Sequence, residues 1–161
     1  MQGTLINNLY KYIKENNPDI LLELEETGNT TQYLSDKVST VDSLIEQLSK
    51  EGKPSYIIEE ICMAHLTEDL KPSRYNYVLH LLESEFEQQY NQFIETGLLL
   101  FEISNMVKHC NPVFDDLNFS EENENNRFLG YAIMGVIKEY LDNVTSENVN
   151  SELQQSTETE R

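Results

Sequence analysis

Cys62 and His65 stand three residues apart in the run Cys62-Met63-Ala64-His65. On a helix that spacing puts a thiol and an imidazole on one face, where they can ligate a metal or act as nucleophile and base. A structural zinc site needs four ligands, and no second Cys/His pair lies at a suitable spacing. Both residues also fall on the apolar stripe of their segment, so the favoured reading is a pair in the core.

His80 and Glu83 share the same spacing and can serve as two ligands, or as a base oriented by a carboxylate. An exposed helical pair is the plainer reading. His109-Cys110 reads as a helix end, where an imidazole bonds the last carbonyls. Glu83, Glu85 and Glu87 crowd one stretch, and Glu121, Glu122 and Glu124 another. Carboxylates so close can do acid–base work or hold Mg²⁺ or Ca²⁺. The central glycine of a calcium loop is missing, however, and alternation on a helix spreads side chains around it, so both clusters read as solvated acidic faces. There is no phosphate-cradling glycine loop after a strand, no serine elbow and no basic–aromatic interleaving for RNA. The sequence therefore assigns no catalytic, cofactor-binding or metal-binding residue.

The elements that carry these groups read as helices. Leu5, Ile6, Leu9 and Ile13 mark a first helix that stops before Asn17-Pro18, where Asn17 caps a short helix reaching Leu22 or Leu24 before Gly28-Asn29. Leu34, Val38, Val41, Ile45 and Leu48 recur at helical spacing and predict one amphipathic helix, with Lys50 and Gly52 as stop signals. Pro54 opens a helix with Ile57, Ile58, Ile61, Cys62, His65 and Leu66 toward the core, ending near Leu70. Ser73 caps the next, whose stripe is Tyr75, Val78, Leu82 and Phe86. A bend or a continuation follows at Tyr90-Asn91. Ile94, Leu98, Phe101 and Met106 then predict a helix ending near His109.

An irregular connection is expected from Asn111-Pro112 through Asn118. Ser120 is the expected cap of the last helix, with Glu121, Glu122 and Glu124 favouring its positive end. That helix carries Phe128, Leu129, Ala132, Ile133, Val136, Ile137, Tyr140 and Leu141, dense enough to predict a central, much-buried position. Gly130 and Gly135 within it predict close approach by a neighbour. From about Thr145 the chain is polar and acidic, the composition of a disordered tail. No strand pattern and no repeat of fixed period are apparent. The expected fold class is all-α: a single multihelical domain of six or seven amphipathic helices over 1–144, with the disordered tail at 145–161.

Composition bounds the partners. Twenty-nine acidic residues against eleven basic ones in 161 give a net charge of −18, with −12 in the second half and −6 in the first. Such a chain is repelled by nucleic-acid phosphates and anionic membranes. Two cysteines, no signal-peptide pattern and no long apolar run predict a cytoplasmic protein with reduced thiols, a Cys62–Cys110 disulfide being the alternative.

Several stretches also resemble one family. Asn16-Asn17-Pro18-Asp19 after a short helix is similar to an Asn-His-Pro-Glu-Leu opening. The segments from Ile61 to Leu66, from Leu70 to Tyr75 and from Leu82 to Phe86 resemble successive elements of the same pattern. Cys110-Asn111-Pro112-Val113-Phe114 matches a further one, and Gly135 with Tyr140-Leu141 fits the last. Asp69 stands where a small residue is usual, and Pro72 where an aromatic is usual. The pattern is that of a helical family of Bacteroidetes, domain of unknown function 1896. The resemblance covers about residues 5 to 142. It implies an all-helical protein carried on or near mobile genetic elements, with no cofactor or catalytic residue to transfer. It also implies that Val113 and Phe114 dock into the core.

The functional expectation is a non-enzymatic helical domain that binds a protein partner with a basic surface. Self-association through the Leu34-to-Leu48 stripe is one version. The alternatives are a nucleic-acid mimic that inhibits a DNA-processing enzyme, and a small metal- or thiol-dependent hydrolase built on Cys62, His65, His80 or the Glu83–Glu87 cluster.

Overall fold

Periodic apolar residues build the helices, and backbone turns at Asn17, Gly28, Phe86 and Gly97 separate several of them. The structure is a computed structural model that describes the backbone of residues 1–159 and the side chains of 1–144. Among the described residues there are nine α-helices, one 3₁₀ turn and no strand. The tail expected at 145–161 lies outside the described side chains. Packing separates two compact units, Met1–Tyr77 and Val78–Arg161.

The first unit contains α1 (Gln2–Asn16), α2 (Pro18–Thr27), α3 (Thr30–Ser39), α4 (Asp42–Lys50) and α5 (Ser55–Thr67), followed by a 3₁₀ turn at Glu68–Leu70. α1 packs on α2, α3 and α5, burying Leu5, Leu9 and Ile13 among Leu34, Val38, Val41, Ile58, Cys62 and Leu66. The predicted Leu34-to-Leu48 helix is two helices. Thr40 closes α3 with its hydroxyl on the Lys37 carbonyl (2.6 Å), and its backbone N–H bonds the same carbonyl. The stripe still runs across the break and is consumed by the unit's own core.

Two of the family-like stretches meet here. The Ser73 hydroxyl accepts the Asn76 N–H at 3.0 Å, capping α6 (Arg74–Glu85), and donates to the Asn16 carbonyl at the end of α1. Asn17, 5% exposed, donates from its side chain to the Leu70 carbonyl. The α1–α2 corner is thereby tied to the start of α6.

α6 continues into the second unit, which contains α7 (Glu87–Thr96), α8 (Leu99–Asp116) and α9 (Arg127–Thr159). Of the bend and the continuation open at Tyr90-Asn91, the chain takes the continuation; it breaks instead at Phe86, whose backbone (φ −134°, ψ 52°) leaves the helical region, and at Gly97 in the left-handed region. Ile94, Leu98 and Phe101 are consequently exposed, while Phe93 and Met106 are buried.

α8 does not stop at Asn111-Pro112; Pro112 lies inside it. A proline there costs about 3 kcal/mol of helix stability. Cys110 and Phe114 on either side are fully buried, and burial of side chains this size stabilises by a similar amount. The helix ends beyond, at Asn118 (φ 52°), where the Phe119 N–H bonds the Phe114 carbonyl at 2.9 Å and the two rings lie 4.6 Å apart. That is a left-handed C-cap closed by its hydrophobic contact. Phe114 docks as expected, while Val113 is only half-buried.

The cap of α9 is Asn126 rather than Ser120. Its side-chain oxygen accepts the Phe128 N–H at 2.8 Å. Ser120 and the acidic Glu121, Glu122 and Glu124 occupy the preceding loop, which Asn123 ties back to the carbonyls of Leu117 and Asn118. Over residues 127–144, α9 is buried on one face. Phe128 is 80% exposed and Tyr131 63%, and a Cβ at Gly135 would meet nothing within 4 Å.

No repeat of fixed period is apparent in the sequence, yet the backbone repeats. Asn17 and Phe86 have the same backbone angles, Gly28 (72°, 20°) matches Gly97 (73°, 17°), and Asn29 (−103°, 8°) matches Leu98 (−101°, 4°), each pair 69 positions apart. Thr27 and Thr96, the residues before those glycines, both fold their hydroxyls onto carbonyls three and four residues earlier. Buried positions follow the same offset: Leu9 and Val78, Ile13 and Leu82, Leu34 and Ile103, Val38 and Val107, Val41 and Cys110. From α5 and α9 onward the offset becomes 71, pairing Ile58 with Leu129, Cys62 with Ile133, Leu66 with Ile137 and, in the 3₁₀ turn after α5, Leu70 with Leu141. The chain repeats one helical plan twice.

Candidate functional site

The sequence-derived candidates do not assemble. Cys62 is fully buried, and burial pushes its thiol pKa up; His65, expected beside it in the core, is exposed. Cys110 is buried too, its thiol pushed up to about 12 by desolvation. A helix advances about 100° per residue, so residues three apart on α5 straddle the edge between core and solvent. His80, Glu83, Glu85 and Glu87 are all exposed, and the Phe86 break divides the glutamates between α6 and α7. Among the described residues no three His, Cys, Asp or Glu side chains converge on a metal position. Both cysteines are free.

The structure instead forms a groove between α8 and α9, with a volume of about 820 Å³. Phe101, Glu102, Asn105 and His109 share one face of α8, and Val136, Glu139, Tyr140, Asn143 and Val144 one face of α9. Those spacings follow the turn of a helix, so packing α8 on α9 brings the two rows together. Glu102 is only 8% exposed and accepts the Tyr140 hydroxyl at 2.5 Å. The His109 ring lies 5.2 Å from that of Tyr140. Glu102 went unnoticed in the sequence. Its signal was a carboxylate four residues before Met106 and eight before Cys110, on a buried row.

The repeat gives this groove a counterpart in the first unit. There a smaller depression of about 350 Å³ is lined by Lys37, Thr40, His65, Leu66, Glu68 and Asp69. With the two offsets, Thr40 corresponds to His109, His65 to Val136, Glu68 to Glu139 and Asp69 to Tyr140, while Tyr33 corresponds to Glu102. Each unit thus holds one tyrosine and one acid at the same two positions, in exchanged order. In the first unit Lys37 occupies the space between them. Its ammonium contacts both Asp69 oxygens at 2.8 Å and lies 5.9 Å from the centre of the Tyr33 ring. The residue equivalent to Lys37 is Met106, fully buried.

A family model described as "Domain of unknown function (DUF1896)" matches residues 6–151. The chain belongs to that family. The match spans both units, so the domain of unknown function includes both copies of the helical plan. No curated protein and no solved structure matches the chain significantly. Among the described residues no helix is long and apolar enough to cross a membrane.

Proposed function

We propose that the chain is a non-enzymatic helical interaction domain whose partner is a protein with a basic surface. The observation that carries this reading is the outer face of α9, where Phe128 and Tyr131 stand exposed one turn apart, with the open Gly135 one turn further. Exposed aromatic rings rimmed by polar residues are typical anchors of protein interfaces. The equivalent positions of the first unit carry Ile57, Glu60 and Ala64, so the pair of rings one turn apart is not repeated there, although α5 exposes Tyr56.

Charge supports a basic partner. Residues 78–144 hold twelve acidic side chains against three basic ones, a net of −9. A field of that sign speeds encounter with a positive surface and repels nucleic-acid and membrane phosphates. The cytoplasmic location expected from composition, and the mobile-element setting implied by the family resemblance, fit this reading. The dimer version loses its sequence basis, since the Leu34-to-Leu48 stripe is buried within the first unit. Less supports the hydrolase reading, because the Cys62 thiol is fully buried while His65, His80 and Glu83, Glu85 and Glu87 are exposed. The test is the salt dependence of binding to a captured basic partner: affinity should fall steeply as ionic strength rises. Salt-independent binding would contradict the electrostatic half of the reading.

A further inference from the structure

We propose that the α8–α9 groove is a binding site for an alkylammonium group, with Glu102 as its anionic anchor. The first unit shows the arrangement completed from within. Lys37 reaches between Tyr33 and Asp69, pairing with the carboxylate and lying near the ring face. A cation so placed gains from both the opposite charge and the ring quadrupole. The second unit keeps a tyrosine and an acid at the same two positions but has Met106 where the lysine would be.

The groove's own chemistry points the same way. A carboxylate that is 8% exposed needs a counter-charge or several donors to offset its lost hydration. Among the described residues Glu102 has a single hydrogen-bond donor, the Tyr140 hydroxyl, which fills one of about four acceptor sites. No Lys or Arg stands among the described residues that line the groove. Glu139 adds a second carboxylate, Asn105 and Asn143 supply amide carbonyls, and Phe101 supplies a ring. An ammonium with three donors on an alkyl stem fits a space with such acceptors and apolar walls.

This inference does not rest on the protein-partner reading. The ammonium can belong to a free amine or to a lysine side chain of a partner, and the groove contributes the same contacts in both cases. Three probes separate these cases: n-pentylammonium, a short peptide with one central lysine, and the same peptide acetylated on that lysine.

The experiment follows the ring signals of Tyr140 and His109 by NMR during titration of the full chain, with n-pentanol as the neutral isostere. The inference predicts saturable shifts with pentylammonium and none with pentanol up to about 50 mM, the range of weak single-group binding. Glu102→Gln, which keeps an acceptor for Tyr140, should weaken binding at least fivefold. A lysine peptide binding more tightly than pentylammonium, with loss on acetylation, assigns the site to a protein side chain. Equal binding of the two assigns it to free amines. Equal shifts with pentanol, or unchanged pentylammonium binding by the folded Glu102→Gln protein, would overturn the inference. So would the absence of any saturable shift in the wild-type chain.

Discussion

The Tyr140 hydroxyl donates to the Glu102 carboxylate at 2.5 Å, at the two positions that Asp69 and Tyr33 hold in the first unit. The same helical plan thus supports two polar solutions: an acid paired with an internal lysine, and an acid paired with a phenol. Removing the phenol hydroxyl strips the carboxylate of its donor. Tyr140→Phe should lose about 1–3 kcal/mol of stability, the cost of leaving a buried acceptor unsatisfied. In the Glu102→Gln background the same change should cost less, because the acceptor is then neutral. Urea unfolding of the four proteins in this cycle measures the coupling, and strictly additive effects would contradict it.

Ser73 performs two tasks at once, capping α6 and bonding the end of α1. Ser73→Ala should therefore cost about 1–2 kcal/mol, the upper part of the range for a lost N-cap. Ser84→Ala, an exposed hydroxyl late in the same helix, is the comparison and should change stability by under about 0.5 kcal/mol. Chemical denaturation of both variants reads the difference.

Both thiols are buried and their pKa values are raised by desolvation. The thiolate is the reactive species. In the native protein at pH 8, Cys62 and Cys110 should both resist a disulfide reagent such as dithionitrobenzoate, reacting at the rate of opening of the fold. In urea both should react within seconds. Prompt reaction of either thiol in the native state would contradict its placement in the core.

Asp19 sits in the first turn of α2, and burial raises its pKa above the usual 3.8, against the lowering effect of backbone N–H groups and of Arg74. A carboxyl whose pKa is raised by folding holds its proton more tightly in the native state. Its contribution to stability is then fully present below pH 3.8 and is lost as pH rises through 3.8 toward the raised value. Asp19→Asn has no proton to lose. The melting temperature of the variant relative to wild type should thus be higher at pH 7 than at pH 3, two values that avoid precipitation near the isoelectric point. An unchanged difference would contradict the desolvation account.

Much of this architecture was legible in the sequence, and the misreadings have physical causes. The first helix, the Asn17-Pro18 corner, the Gly28 stop and the Ser73 cap were readable because each rests on local chemistry: period, proline, glycine and a capping hydroxyl. Leu34 to Leu48 misled because its apolar period survives a break that Thr40 makes in the backbone alone. Pro112 misled in the opposite sense, since burial of Cys110 and Phe114 outweighs a local penalty that would otherwise stop the helix.

The repeat was visible only in fragments. Glu26-Thr27-Gly28 and Glu95-Thr96-Gly97 are the same tripeptide 69 positions apart. The rest of the correspondence lies in burial, which tolerates Cys62 for Ile133 and Val41 for Cys110. The candidate groove was hidden for the same reason. Its residues gain meaning from the packing of α8 on α9, and Tyr140 reads as apolar until Glu102 is placed beside it.

Docking of a basic protein on the outer face of α9, as proposed above, depends on the Phe128 and Tyr131 rings. The double variant Phe128→Ser, Tyr131→Ser tests it most directly, because both side chains are exposed and the fold should lose no more than about 0.5 kcal/mol per site. Wild-type and variant proteins would be used side by side to capture partners from extract of the native host, with bound proteins identified by mass spectrometry. The wild type should retain a partner with a basic surface that the folded double variant loses and that binds in a one-to-one purified assay. The same partners captured equally by both proteins would contradict it.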